Sequence, residues 1–340
     1  MKIVIPGGTG QVGAVLARAF RADGHEIVIL SRSAKHSRGS GDRASSYGAR
    51  VVDWDATRLG PWTAELEGAD VVINLAGRSV NCRYNARNRR DIMESRVRST
   101  RLIGEAIASA IKPPRIWLQS STATIYAHRF DAPNDERTGI IGGNEPDTPD
   151  TWRFSIEVAR AWEQAVDESP TPATRKVKLR SAMVMSPDRD GIFDTLLTLV
   201  RRGLGGRAAS GRQYISWVHE LDFVRALYWI IDHAEMSGAI NVASPNPIPN
   251  EEFMHILREA AGARIGLPAN RLMLEIGAFA MRSETELILK SRRVIPTLLL
   301  ESGFRFEFPE WADAARDLCL RARAGATGYS ASDLRRRQSS

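Results

Sequence analysis

The sequence predicts an α/β fold, a doubly wound parallel sheet with a smaller, mostly helical C-terminal substrate region. Three observations predict it. Short apolar runs alternate with helical patterns through the first half of the chain, as in βαβ units. A glycine-rich turn joins the first apolar run to the first helical pattern. Beyond about residue 185 the strand signals thin out and helical periodicity takes over.

The elements follow in order. Strands are expected at 2–6, 26–30, 50–53, 71–75, 115–120 and 177–183, and helices between them near 11–23, 62–67, 86–111 and 152–168. Residues 127–150 are rich in Asp, Gly, Pro and Asn and read as a long loop near a functional site. Later helices are expected at 190–205, 220–235, 250–262, 268–281 and 310–323, with a short strand at Gly238–Val242. The expected organisation is a dinucleotide-binding domain over 1–185, a substrate or lid region over 186–324, and a disordered tail over 325–340.

The chain has 340 residues, 43% hydrophobic and 26% charged, which is ordinary for a globular protein with a substantial core. Its two cysteines, Cys82 and Cys319, form neither a disulfide framework nor a metal-ligand pair, so no metal site is expected. Met1 leads straight into a strand pattern, and no apolar run approaches the ~20 residues needed to cross a bilayer, so a cytoplasmic protein without a membrane partner is expected. The net charge of +7 comes from arginines scattered among acids, which argues against nucleic acid as a partner.

The turn reads Gly7-Gly8-Thr9-Gly10-Gln11-Val12-Gly13. Gly7, Gly10 and Gly13 suit a tight turn, close backbone approach to a pyrophosphate, and tight helix–strand packing. The following helix would offer free N–H groups and a positive dipole end to phosphate. This is the Rossmann pattern in its proper context, between a strand and a helix. NAD binders place an acid at the end of the second strand, but this chain reads Ser31-Arg32-Ser33. Arg32 could pair with a 2′-phosphate, with Ser31 and Ser33 as donors, so NADP is the expected cofactor. Asp55, beside Trp54, is placed near the adenine, and small residues in Leu75-Ala76-Gly77 would let the cofactor pass.

These stretches resemble the short-chain dehydrogenase/reductase superfamily. More narrowly, the chain is similar to its atypical branch of epimerase family proteins, which carry a C-terminal domain of unknown function. The resemblance spans roughly residues 1–320. It rests on the glycine turn, Asn74–Gly77, Ser95-Arg96-Val97 with Thr100-Arg101, Ser120–Tyr126, Trp162-Glu163, Ile215–His219, Asn241–Pro247 and Lys290–Phe308. It implies an NADP-binding fold. It also implies a Tyr-x-x-x-Lys pair, in which Lys lowers the Tyr pKa for proton transfer. Counting back from Glu163 puts that pair at Ser155 and Ala159, or at Phe154 and Val158 in a shifted register, and none of these can do the job. Arg96 fits the slot of the family's active-site Asn, and Ser121 or Thr122 that of its hydroxyl donor. Tyr126, Glu136 and His219 are further acid–base candidates, and Asp222 is expected to cap the helix after His219. Trp152, Trp162 and Trp217 suggest an apolar pocket.

Three functions stay open. The first is an NADP-dependent oxidoreductase on a small carbonyl or alcohol, with Ser121 or Thr122 binding the carbonyl oxygen, Arg96 stabilising negative charge, and Tyr126 or water supplying the proton. The second is a non-catalytic NADP-binding sensor or scaffold. The third is a nucleotide-sugar epimerase or dehydratase, against which stands Ile215, where such enzymes carry an Arg. A small-molecule substrate is expected, and the oligomeric state, with a homodimer among the options, is left open.

Overall fold

In the computed structural model, which describes residues 1–32, 48–270, 273 and 284–325, seven strands pair in one parallel sheet. They are β1 (Lys2–Pro6), β2 (Glu26–Ser31), β3 (Arg50–Asp53), β4 (Val71–Asn74), β5 (Ile116–Thr122), β6 (Arg175–Ser181) and, after three short strands that lie outside the sheet, β10 (Gly238–Val242). The spatial order is β10-β6-β5-β4-β1-β2-β3. The order reverses between β1 and β4, the place where ligands bind in open α/β sheets.

Both faces of this sheet are covered, which is why its central strands read as unbroken apolar runs. Ile3, Ile5 and Ile29 point to one core with Leu16 and Phe20 of helix α1 (Gln11–Ala22) and Leu227 of helix α5 (Glu220–Asp232). Val4, Val28 and Val72 point to the other, with Ile103 and Ile107 of α2 (Ala86–Ser109) and Val166 of α3 (Asp150–Asp167). Single strand residues thus alternate between two dry layers.

The expected elements are largely present, with informative differences. The strand expected at 177–183 is broken: Ala182 N donates to Val242 O at 3.0 Å, and β7 (Met183–Met185) leaves the sheet to pair with β9 (Trp217–His219). A second small ladder joins β8 (Tyr214–Ile215) to β11 (Ile248–Pro249). The helix expected at 62–67 is a 3-10 turn, Pro61–Glu65. More consequential is β10, whose register with β6 runs from Gly238↔Val177 to Val242↔Ser181. The sheet therefore draws its last strand from beyond residue 185. Parallel strands need a long crossover, and 182–237, including α4 (Ile192–Arg201) and α5, is that crossover.

The remaining C-terminal chain is helical: α6 (Asn250–Ala261), α7 (Glu286–Leu289), α8 (Thr297–Glu301) and α9 (Trp311–Ala324). Gly325 closes α9 in the left-handed region, at φ 65°. Ser33, most of the helix expected at 268–281, and the tail from 326 lie outside the described residues. No helix among the described residues is long and apolar enough to cross a membrane.

Candidate functional site

The glycines of the first turn have separate reasons. Gly7 sits at φ +74°, and a Cβ there would lie 2.6 Å from Ala76 Cα, so β1 and β4 can approach only across a glycine. A Cβ on Gly13 would lie 2.2 Å from Gly8 O. Gly10 differs: a Cβ there would meet nothing within 4 Å. It is the N-cap of α1, with ordinary extended backbone and no acidic residue in the first helical turn. The helix end is thus open and unopposed by negative charge, as a bound phosphate requires. Gly8 N closes the turn on Ile5 O at 3.2 Å, Gln11 reaches Val184 O at 3.5 Å, and Val12 packs on the core.

A groove of about 600 Å³ runs from this turn across the strand ends. Gly7, Thr9, Ser31, Arg32, Trp54, Asp55, Ala76 and Gly77 line it, so the chain brings these expected contacts together. Arg32 is exposed at the rim and Ser31 is buried beside it. Asp55 is already engaged, because Oδ1 accepts from Thr57 N at 2.8 Å and from Arg58 N at 3.3 Å. These backbone donors, Thr57 foremost, hold its carboxyl below the ordinary range. Arg98, which sequence reasoning missed, also lines the groove and donates to Thr57 O at 2.8 Å. It lies one helical turn along α2 from Glu94 and Ser95, which line the same wall.

A second cavity, of about 270 Å³, adjoins the first, and Gly77 lines both. Leu75, Arg96, Ser121, Thr122, Ser155 and Ala159 line it, with Val80, Phe154, Val158 and Trp162 as apolar wall. Arg96 is held by its own helix and its neighbour, donating to Arg78 O at 3.0 Å and Ile92 O at 3.2 Å, and its guanidinium lies 4.9 Å from the Trp162 ring centre. Burial pulls its pKa down to about 10, so it stays charged at neutral pH. Among the described residues it pairs with no carboxylate. Ser121 donates to Glu163 Oε1 at 2.6 Å, which occupies its one hydrogen. Thr122 accepts from Thr124 N at 3.1 Å, and its own hydrogen finds no acceptor among the described residues.

Other expected candidates stand elsewhere. Tyr126 is buried in the core, donating to Asn241 Oδ1 and accepting from Arg180, both at 3.0 Å, and it lines neither cavity. Burial, foremost, raises its pKa. The expectation that Tyr126 supplies a proton therefore needs correcting: the chain leaves β5 in a tight 3-10 turn that turns this ring inward. Glu136 pins the long loop to β10 and α8 through Asn241 N and Leu298 N. His219 caps α5 by accepting from Leu221 N and meets Asp317 at 3.1 Å. Asp222 does not cap α5; it accepts from Glu307 N and Phe308 N, both at 2.8 Å. Of the three tryptophans only Trp162 reaches the cavity; Trp217 packs on Trp311, and Trp152 on His128.

Two further cavity residues escaped sequence reasoning, Tyr84 and Glu286. Tyr84 precedes α2 by two residues, and Glu286 arrives from the far C-terminal region. No local pattern marks either one.

The chain is similar to known proteins over nearly its whole length. The family described as NAD dependent epimerase/dehydratase matches residues 3–243, and a domain of unknown function (DUF1731) matches residues 271–318. Epimerase family protein SDR39U1 of Bos taurus is 29% identical over 324 residues, covering 94% of this chain and 99% of that protein. Epimerase family protein YfhF of Bacillus subtilis is 27% identical over 310 residues, covering 91% and 95%. Among solved structures, human epimerase family protein SDR39U1 (isoform 2) with NADPH superposes at a TM-score of 0.79, with 27% identity, 94% of this chain and 99% of that chain covered.

Proposed function

This chain belongs to the NAD dependent epimerase/dehydratase family, and from that premise we propose that it is an NADP-dependent oxidoreductase acting on a small carbonyl or alcohol. The observation that carries the proposal is the union of the two cavities at Gly77. One is built for a dinucleotide, and the other is a small, largely apolar pocket with a half-buried guanidinium that pairs with no carboxylate among the described residues. The α1 N-terminus would hold the pyrophosphate and Arg32 with Ser31 the 2′-phosphate, in keeping with the NADPH of the human relative. A bound NADPH supplies two electrons and a hydrogen to a carbonyl carbon.

The chain's residues supply the rest. Arg96 is placed to stabilise negative charge as it grows on the carbonyl oxygen. Thr122, with a hydrogen to give, is the better donor to that oxygen, since Ser121 has given its own to Glu163. Phe154, Val158 and Trp162 keep the pocket apolar, which strengthens both contacts. Turnover is tested by following NADPH oxidation over a panel of aldehydes, ketones and quinones, with binding measured in parallel by NADPH fluorescence.

Ser155 and Ala159, where the superfamily carries Tyr and Lys, favour a second reading as an NADP-binding sensor. Tight binding with no turnover of any panel member would select it. A nucleotide-sugar epimerase is disfavoured, because Ile215 pairs with Ile248 in a small ladder and offers no charge to a diphosphate.

A further inference from the structure

The pocket lacks the Tyr–Lys pair, yet the place of the Tyr is not chemically empty. Ser155, on α3, hydrogen-bonds the carboxyl of Glu286 at Oε2. On its other side the Tyr84 hydroxyl lies 3.4 Å from Ser155 Oγ. All three residues line the second cavity, and Glu286 is the one carboxyl on its wall among the described residues. Glu286 is 2% exposed, and its Oε1 has no hydrogen-bond partner among the described residues. Buried polar atoms ordinarily have a hydrogen-bond partner, so an unpartnered carboxyl oxygen on a cavity wall calls for an explanation.

We propose that Ser155 and Glu286 together form the proton relay that stands in for the missing Tyr–Lys pair, with the acid delivered to the pocket by the C-terminal region. This rests on the oxidoreductase reading. The hydrogen bond between them works in either direction. With Glu286 ionised, Ser155 donates to it; with Glu286 protonated, the carboxyl donates and the Ser155 hydrogen is free to point into the pocket. During reduction the two electrons come from the reduced nicotinamide, which is oxidised. The pair displaced from the C=O bond settles on oxygen, and that oxygen takes the proton of Ser155. Glu286 then gives its own proton to Ser155 Oγ, and the resulting carboxylate is reprotonated from water. The balance is one carbonyl, one NADPH and one proton consumed, one alcohol and one NADP⁺ formed.

The surroundings suit an acid in this role. Burial, foremost, pushes the Glu286 carboxyl above its ordinary range, while Arg292, Ser155 and Lys290 pull the other way and Glu284 adds to the rise. Tyr84 is a poorer proton source, since burial pushes it up to about 12. Arg292 Nη2 stands 4.0 Å from Glu286 Oε1, close enough to steady the carboxylate that the transfer leaves behind.

The test takes the full chain and the variants Glu286→Gln, Ser155→Ala and Ser155→Thr, with NADPH binding as the check on folding. One readout is infrared: the C=O stretch of a protonated carboxyl at neutral pH, found as the difference between wild type and Glu286→Gln. It is expected to be present and to move in Ser155→Ala. The other is the rate with the best member of the carbonyl panel. Glu286→Gln and Ser155→Ala should lose about a hundredfold, and Ser155→Thr should recover most of it. The wild-type rate should fall toward high pH, and Glu286→Gln should lack that fall. A Glu286→Gln rate within about twofold of wild type, or a carboxyl band absent at neutral pH or unmoved in Ser155→Ala, overturns the relay alone. A wild type that binds NADPH and oxidises it with no panel member overturns the oxidoreductase reading, and the relay with it.

Discussion

Ser121 gives its hydroxyl hydrogen to Glu163 at 2.6 Å, and Arg180, its cross-strand partner on β6, grips the same carboxylate with two bonds of 2.8 Å. Burial works against the Arg180 charge, but the doubled bond to Glu163 outweighs it and raises the arginine's pKa. Ser121 is thereby part of the wall that ties β5 to α3 and β6. Ser121→Ala should cost about 1.5–3 kcal/mol of stability, the range for hydrogen bonds to charged groups. Thr122→Ala should cost about 1 kcal/mol, from the lost bond to Thr124 N, and should be the more damaging to turnover. Urea unfolding and NADPH oxidation rates on both variants check this. A larger rate loss in Ser121→Ala would reverse the assignment.

The proposed preference for NADP rests on Arg32 at the rim of the groove. Arg32→Ala should weaken NADP binding by about 1.5–3 kcal/mol, roughly ten- to a hundredfold, and leave NAD nearly unchanged. Calorimetric titration of both cofactors decides it. Equal wild-type affinities for NAD and NADP would contradict the role given to Arg32.

Two glycines in one turn should fail in different ways. Gly10→Val meets open space and ordinary backbone, so the protein should fold with unchanged circular dichroism and lose dinucleotide binding. Gly13→Ala puts a methyl 2.2 Å from Gly8 O, where backbone must move, so it should lower the melting temperature even without cofactor. Retained NADPH affinity in Gly10→Val would mean that phosphate lies elsewhere.

Arg96 holds its position by two bonds to carbonyl oxygens, at 3.0 and 3.2 Å, and its guanidinium lies 4.9 Å from the Trp162 ring centre. A lysine keeps the charge but not the planar fork of donors. Arg96→Lys should lower kcat about tenfold or more while NADPH affinity changes by less than about threefold. An unchanged kcat would remove Arg96 from the chemistry.

Lys290 gives a pH signature. It donates to Thr124 O at 2.7 Å and is 1% exposed. Burial, first, and Arg292, second, bring its pKa down from 10.5 to about 8. The unfolded chain then binds more protons between about pH 8 and 10.5, so stability should rise with pH across that window. Below it the folded protein carries the full cost of a buried ammonium, on the order of 3 kcal/mol. Lys290→Met should flatten the rise, as measured by urea midpoints from pH 7 to 10.5. An identical slope in both proteins would show that Lys290 does not titrate this way.

The sheet and the dinucleotide groove were legible because their determinants are local. β1, the glycine turn and α1 are continuous in sequence, and each step follows from apolar periodicity, glycine conformation or the direction of a helix dipole. The ends of β2 and β4 lie directly after strand patterns, so the sequence alone suffices to put Ser31, Arg32 and Ala76 at the groove. The same reasoning failed for Tyr126 and Asp222. Their residue types suit several roles, and only their neighbours, Asn241 for the one and Glu307 with Phe308 for the other, select among them.

What the sequence determined by itself was the doubly wound sheet, the dinucleotide turn and the loss of the Tyr–Lys pair, all matters of residue type at short spacing. What only the tertiary structure decided was the pocket's acid and the place of the strand Gly238–Val242 as the last of the sheet. Glu286 meets Ser155 across 131 residues, and β10 joins β6 across a long crossover. Neither contact leaves a periodicity in the chain. Each exists because burying apolar surface on both faces of the sheet forces distant segments together, and side chains such as Ser155 and Glu286 then find each other in the space that remains.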